Sequence, residues 1–171
     1  MTAFVALLRG INVGGHGKLA MTELADLCRA LGHGDVRTYI QSGNVVFSSP
    51  APEKAVKAGM EQALRHRMGK PVAAMVRTGA ELHGVLQRNP FKDADPKRVI
   101  VLFLDDEPPA GLFADLATPG GERVVAIGRE VFVHYPDGQG QSKLKLPLAD
   151  KGTGRNLNTI AKLAKMAANI A

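Results

Sequence analysis

The sequence has little cysteine, few aromatic residues and no long apolar run. One cysteine, Cys28, among 171 residues excludes an intrachain disulfide and gives no sign of an oxidising compartment, so we expect a cytoplasmic protein. No run reaches the roughly 18 apolar residues of a membrane-spanning helix, so no integral membrane segment is expected. The apolar start at residues 2–8 ends at Arg9 and lacks a preceding basic region, which predicts a strand rather than a signal peptide.

Catalytic and metal-binding signatures are also scarce. The five histidines form neither an HExxH motif nor an i, i+4 pair, and one cysteine is too few for a thiolate zinc site, so no metal is implied. Ser42 has no GxSxG context, and its place between two β-rich segments favours a turn hydroxyl over a nucleophile. The sequence therefore indicates no catalytic residue and no cofactor, and it leaves open whether the protein is an enzyme.

The net charge of +6 is concentrated at the two ends of the chain. Residues 1–77 carry 10 Lys and Arg against 5 Asp and Glu, residues 78–137 carry 6 against 10, and residues 138–171 carry 6 against 1. If the fold joins the two ends, they form a basic face suited to phosphate, nucleic acid or another acidic partner. The other interpretation is dispersed surface charge that serves solubility.

The order of predicted elements in the first half indicates an α+β fold. Residues 1–77 show strand, helix, strand, strand, helix, strand, which is the ferredoxin-like βαββαβ order. Apolar residues at helical spacing include Cys28, which is therefore expected to face the core. A hairpin is predicted across residues 41–44, and Pro52 opens the second helix.

A second, similar series of elements follows residue 77. It contains a strand at residues 99–104, a short helix near residues 112–116, a hairpin, and a last helix from about residue 155 to residue 168. We therefore expect two fused ferredoxin-like (βαββα) units, residues 1–77 and residues 78–171, packed as one globular body.

A glycine-rich segment follows the first strand, and such turns before a helix can bring backbone N–H groups onto phosphate. Residues 15–20 fit the GxGxxA pattern of a dinucleotide site, but the next strand enters a hairpin and lacks a terminal acidic residue for a ribose. A P-loop needs glycine in place of Asn12 and Ser or Thr in place of Leu19. The remaining alternatives are an anion site flanked by Arg9 and Lys18, or a tight strand-to-helix turn.

A second candidate segment lies near the C-terminus. Thr153 is expected to cap the last helix, which places Arg155 and Asn156 in its first turn. The helix dipole disfavours a cation there unless an anion lies close by, so Arg155 is expected to contact either a ligand or a carboxylate of the protein. Residues 132–135 fit only the second half of the RNA-binding RNP1 pattern, so Phe132 is expected in the core.

Two long segments, LLRGINVGG at residues 7–15 and TYIQSGNVVF at residues 38–47, carry a family resemblance. Other matching positions are Lys18, Met21, Asn89-Pro90, residues 142–144, Arg155-Asn156 and Thr159. Together they resemble the bacterial domain of unknown function 1697 family over essentially the whole chain. Leu157 departs from the family pattern, in which an aromatic residue, usually Trp, is expected. The resemblance implies an α+β fold with ferredoxin-like features and supplies no reaction, ligand or catalytic residue.

These observations favour a protein that binds a phosphate-bearing small molecule or nucleotide in a basic, glycine-rich pocket. Backbone at the glycines is expected to approach the anion, while charged and amide side chains hold it. The expected ligand-binding residues are Arg9, Gly10, Asn12, Gly14, Gly15, Lys18, Ser42, Asn44, Ser142, Lys143, Arg155 and Asn156. The alternatives are a nucleic-acid-binding module with a basic face, and a structural or interaction protein without a ligand.

Overall fold

A computed structural model describes residues 1–13 and 17–170, which contain eight strands and four α-helices. The strands are β1 (Thr2–Leu8), β2 (Gly34–Tyr39), β3 (Asn44–Ser49), β4 (Ala74–Thr78), β5 (Val99–Phe103), β6 (Arg123–Ile127), β7 (Glu130–His134) and β8 (Thr153–Asn156). The helices are α1 (Met21–Ala30), α2 (Glu53–Met68), α3 (Gly79–Gln87) and α4 (Leu157–Ala168). This is an α+β protein. None of the helices within the described ranges combines the length and the apolar character needed to cross a membrane.

The chain divides into two compact units. The first comprises Met1–His83 with Lys162–Ala171, and the second comprises Gly84–Ala161. Each unit contains one four-stranded antiparallel sheet, with strand order β2-β3-β1-β4 in the first and β6-β7-β5-β8 in the second. The two orders coincide when β5 to β8 are put in the places of β1 to β4.

The core of the first unit lies between one face of its sheet and the helices α1 and α2. Alternate residues of β1 supply this face, because side chains along a strand point to opposite sides. Cys28, in α1, is fully buried there as expected, and burial raises the pKa of its thiol to about 12. The principal contributors from the strands and helices are Phe4, Ala6, Leu8, Val45, Phe47, Leu24, Cys28, Val56, Met60 and Leu64.

The second unit covers the corresponding sheet face with loops. Its buried cluster contains Leu102, Leu104, Val131, Val133 and Tyr135, against which partly buried apolar residues of two connections pack. One connection joins β5 to β6 and contributes Phe113, whereas the other joins β7 to β8 and contributes Leu144, Leu146 and Leu148. Phe132, on the opposite face of β7, is fully buried as expected.

The expected helix near residues 112–116 is wrong. The segment consists of successive turns, with N–H to C=O bonds from Leu112 to Pro109 and from Ala114 to Gly111. Gly111 has a φ of +78°, a left-handed conformation that interrupts the right-handed backbone of a helix. The connection from β5 to β6 therefore lacks the α-helix that the repeated pattern requires.

The last helix is found as expected but begins at Leu157, two residues later than the expected start, and the expected cap at Thr153 is wrong. Residues 153–156 form the edge strand β8, in which Arg155 pairs with Val101 of β5. The cap of α4 is Asn156, whose Oδ1 accepts the N–H of Thr159 at 2.9 Å, rather than Thr153. Arg155 therefore lies in a strand before the helix rather than in the first helical turn.

His33 follows α1 and stacks on Phe47 of β3. Their ring centroids lie 4.2 Å apart with planes inclined by 13°. Within the described ranges, the buried Nε2 of His33 has no hydrogen-bond partner. Burial lowers the pKa of His33 below its ordinary value of 6.5, because the charged imidazolium loses its hydration.

We expect the protein to lose stability as pH falls below about 6.5, because the unfolded chain then binds a proton that the folded state resists. His33→Phe keeps a ring against Phe47 and removes the titrating group. The loss of stability that His33 causes at low pH should therefore be absent in this variant. Urea unfolding between pH 7.5 and 5.5 measures the effect. His66→Phe, a change on the exposed side of α2, should follow the wild-type curve. Identical pH slopes for wild type and His33→Phe would contradict the assignment.

Candidate functional site

The end of β1 lies beside the turn between β2 and β3. Leu7 is the register partner of Asn44, and the Leu8 N–H donates to the Gly43 carbonyl at 2.9 Å. The register therefore brings the two long family-like segments together at one end of the first sheet. Gln41 and Ser42 are exposed at this end, as is Arg9.

Asn12 joins these two segments. Its Nδ2 donates to the carbonyl oxygens of Leu19 at 2.9 Å and of Gln41 at 2.7 Å, and its Oδ1 accepts the N–H of Leu19 at 2.8 Å. Its N–H donates to the Gly17 carbonyl at 2.9 Å, which closes the glycine-rich loop on itself. Asn12 has a φ of +55°, a left-handed conformation that asparagine tolerates better than most residues. The side chain thus joins the two described ends of the loop, and both of its polar atoms are engaged in doing so.

The turn after β2 requires glycine at position 43, because Ile11 packs against it. Gly43 has a φ of +88°, and a Cβ there would lie 2.6 Å from Cδ1 of Ile11. Ile11 is itself buried, so its side chain has little room to move away. The adjacent Ile40 has a φ of +49°, which is unusual for a β-branched residue and is held by the surrounding hydrogen bonds.

Asn44 and Ser42 stabilise the turn between β2 and β3. Nδ2 of the buried Asn44 donates to the Tyr39 carbonyl at 2.8 Å and to Ser42 Oγ at 3.0 Å. The Ser42 hydroxyl therefore has the turn-bonding role favoured by the sequence. Asn44 therefore stabilises the turn from a buried position, through these two hydrogen bonds.

Three cationic side chains are exposed around the glycine-rich loop. Arg9 and Lys18 flank it in sequence, and Lys70 approaches it from the end of α2. Lys70 Nζ lies 3.6 Å from the place that a Cβ on Gly17 would occupy. Neither Lys18 nor Lys70 has an ion-pair partner among the residues that the structure describes. Sequence analysis missed Lys70, because no local pattern connects it with a loop more than 50 positions away.

The start of α1, just after the loop, is occupied by a carboxylate of the protein. Ala20 stands at the N-cap position and provides no side-chain cap. Glu23 bonds Arg67 of α2, and this hydrogen bond lowers the pKa of the Glu23 carboxyl, with a smaller contribution from the Ala20 N–H. An added anion would meet this carboxylate at the helix end, so the loop is the more favourable location.

The candidate residues near the C-terminus lie in the second unit. Ser142 is half-buried, and its Oγ accepts the Leu144 N–H at 3.1 Å in a local turn. Lys143 beside it is exposed, and Asn156 caps α4. Two of these residues therefore have backbone-bonding roles.

Arg155 is buried, with 7% of its surface exposed. Its Nη1 donates to Thr153 Oγ1 at 2.6 Å and to the Gly154 carbonyl at 2.9 Å, and burial lowers its pKa to about 10. Arg77 has the equivalent position in the first unit: it lies in β4 opposite Val5, is 1% exposed, and donates to the carbonyl of the preceding Val76. Arg77 is absent from the expected ligand-binding residues, because it belongs to none of the motifs in the sequence.

The structure thus brings Arg9, Gly10, Asn12, Lys18, Ser42 and Asn44 together in the first unit and places Ser142, Lys143, Arg155 and Asn156 in the second. Gly14 and Gly15 lie outside the described residues. A single pocket that contains both groups stays a prediction. No cluster of three or more His, Cys, Asp or Glu side chains suited to a metal ion occurs within residues 1–13 and 17–170.

Replacement of Asn12 tests whether its side chain fixes the loop. Asn12→Gly permits the left-handed backbone and removes three side-chain hydrogen bonds to backbone groups and a longer one to Gln41 Oε1, so we expect a loss of roughly 1.5 to 4 kcal/mol in the free energy of unfolding. Gln41→Ala leaves the accepting backbone carbonyl in place and should cost less than about 0.5 kcal/mol. Denaturant unfolding measures both values. Equal stabilities for wild type and Asn12→Gly would show that the loop does not depend on these bonds.

Comparisons with known proteins agree with the architecture. The family model described as protein of unknown function (DUF1697) matches residues 1–132. The solved structure of the conserved bacterial protein SP0830 from Streptococcus pneumoniae is similar in fold, with a TM-score of 0.81 and 24% sequence identity over 97% of this chain and 98% of that one. No curated protein matches the sequence. Because the family model covers more than half of its length, the chain belongs to the DUF1697 family of proteins of unknown function.

Proposed function

We propose that the protein binds a phosphate-bearing small molecule or nucleotide at the glycine-rich loop after β1. The observation that carries this proposal is the pair Lys18 and Lys70, two exposed cations at the loop for which no described carboxylate forms an ion pair. Exposed cations usually lie near acidic side chains on a mixed surface, whereas here two adjoin the same glycine-rich backbone. A phosphate group would supply the missing negative charge.

The backbone of the loop supports the same function. Gly10, Asn12 and Gly17 all have left-handed φ values, at +68°, +55° and +61°. Anion-binding concavities form where successive backbone residues alternate between right-handed and left-handed conformations, and Gly10 and Asn12 give this segment left-handed positions two residues apart. The bonds of Asn12 join the two described ends of the loop, at residues 12 and 19, to the turn at Gln41, and a preorganised site loses less entropy on binding. In this proposal Asn12 shapes the site, and Lys18, Lys70 and Arg9 supply the charge.

Nucleic acid is the alternative ligand, and salt dependence separates it from a small phosphate compound. Binding along a basic face releases many counterions, so affinity for RNA or DNA falls steeply with salt. A loop with three cations contacts few phosphates and should show a gentler dependence. In the described part of the first sheet, Phe4 and Phe47 are buried and Tyr39 is half-buried, so little aromatic surface is available for base stacking.

We also propose that the two units are versions of one ferredoxin-like plan, the first more complete than the second. The support is the shared strand order together with the equivalence of Arg77 and Arg155, each followed by a capping residue and a helix. Thr78 caps α3 through a reciprocal pair of bonds with Glu81, as Asn156 caps α4. The second unit has no counterpart of α1 or α2 among its described elements.

Thermal unfolding with inorganic phosphate, nucleotides, nicotinamide cofactors, coenzyme A, sugar phosphates and a short RNA tests the proposed site. A ligand at 100 times its Kd adds about 2.7 kcal/mol of stability. For a chain of this length, the melting temperature should then rise by roughly 5 to 11 °C. We expect such a shift with one class of phosphate compound, and its loss in the double variant Lys18→Ala/Lys70→Ala.

Lys54→Ala is the matched control, because it removes one exposed charge from the opposite end of α2. About 20 Å of helix separates Lys54 from the end next to Lys70. This variant should keep the ligand-induced shift. A panel in which no compound, including phosphate, moves the transition would refute the proposal, as would a shift that survives the double substitution.

A further inference from the structure

The second unit contains a cavity of about 240 Å³ beneath the connection from β7 to β8. Residues 136–152, here called the covering loop, pass over the sheet face formed by β5, β7 and β8. In the first unit, α1 and α2 pack on the corresponding face with a continuous apolar core. Loops bury apolar surface less uniformly than a pair of amphipathic helices, and here a space remains between the loop and the sheet.

The wall of this cavity is apolar on the sheet side and partly polar on the loop side. Ile100, Leu102 and Val133 form the apolar floor. The polar side chains in the lining are Tyr135, Gln139 and Ser142. No charged side chain occurs among the lining residues. An ionised group on the sheet side of the cavity would therefore have no compensating charge in the lining, which is unfavourable.

Tyr135 and Ser142 have hydroxyl groups in the protonation state needed to donate a hydrogen bond. Burial, with a smaller effect of Glu122, raises the pKa of Tyr135 above its ordinary value, so the phenol is neutral at physiological pH. Ser142 Oγ accepts the Leu144 N–H, and this bond fixes the oxygen while its own proton can be donated elsewhere. The cavity thus combines an apolar floor with hydroxyl donors at one side.

The volume suits one small ring with a substituent. An apolar cavity of about 150 Å³ is enough for benzene in a protein interior. The space here is larger than that, and smaller than the pockets of about 300 to 1,000 Å³ that hold drug-sized ligands.

We propose that this cavity binds a small neutral molecule, an aromatic or similarly compact apolar body that carries one hydrogen-bonding group. The apolar part lies on Ile100, Leu102 and Val133, and the polar group meets Tyr135 or Ser142. This site is independent of the phosphate site, since it lies wholly in the second unit and accepts a ligand without charge.

Titration of the isotope-labelled full chain with phenol, toluene and benzoate, followed by amide NMR shifts, tests the proposal. Phenol should bind saturably, with the largest shifts at residues 100–102, 133–135 and 139–149. Toluene should bind about three- to tenfold more weakly than phenol, because it lacks the hydroxyl group that forms one hydrogen bond. Benzoate should bind at least tenfold more weakly than phenol, because its carboxylate has no partner in the cavity.

Two substitutions assign the binding to the cavity. Val133→Phe places a ring in the space and should weaken phenol binding at least tenfold. Val124→Phe is the matched control, because Val124 is the register partner of Val133 on β6, is half-buried and does not line the cavity. Tyr135→Phe keeps the shape of the wall and should reduce the preference for phenol over toluene to about one if Tyr135 is the partner, and Ser142→Ala should do so if Ser142 is.

The proposal fails if phenol produces no saturable shifts, if benzoate binds as tightly as phenol, or if folded Val133→Phe binds phenol like the wild type. Should Val133→Phe not fold, the comparison of phenol, toluene and benzoate in wild type, Tyr135→Phe and Ser142→Ala still decides the outcome. Lys18→Ala/Lys70→Ala should bind phenol normally, so failure of the phosphate site and failure of this cavity are separate results.

Discussion

The antiparallel register of β1 with β3 is the constraint on which the candidate phosphate site depends. Each strand of this pair must satisfy its backbone hydrogen bonds, and the pairing of Leu7 with Asn44 fixes where the strands end. A shift of β3 by one residue would turn Phe47 away from the core that contains Phe4, so burial holds the register. Burial of the core residues therefore sets the strand register, and the register places the glycine-rich loop beside the turn after β2. Asn12 then donates a hydrogen bond from the loop to the Gln41 carbonyl of that turn.

Elements with a clear apolar period could be predicted from the sequence, whereas elements defined by tertiary pairing could not. The helix containing Cys28 and the hairpin across residues 41–44 occur as expected, since local spacing and turn residues specify them. Residues 112–116 contain apolar residues at a suitable spacing, but Gly111 and consecutive turns prevent a helix. Thr153 and Arg155 form a strand because β5 offers an unpaired edge, a partner more than 45 positions distant that no local pattern reveals.

The candidate site shows the same division between local and distant information. Sequence motifs indicated Arg9, Asn12 and Lys18, and the structure gives these residues different roles: the cations are exposed, while the amide of Asn12 is engaged in the loop itself. Lys70 reaches the loop only because α2 ends beside it. A basic residue after a helix is too common in sequences to indicate a site, so its role depends on a contact that only the fold creates.

The unequal covering of the two sheets explains why one chain can offer two chemically different sites. In the first unit, helices fill the space over the sheet, and the candidate site lies at the ends of strands instead. In the second unit, loops cover the equivalent face, and side chains such as Leu144 and Leu146 reach the sheet at separate points. Space is then left between those points, enclosed by apolar strands and bordered by the hydroxyl groups that loops bring. The proposed phosphate site therefore lies where exposed cations adjoin a loop, and the proposed neutral site lies where the lining residues carry no charge.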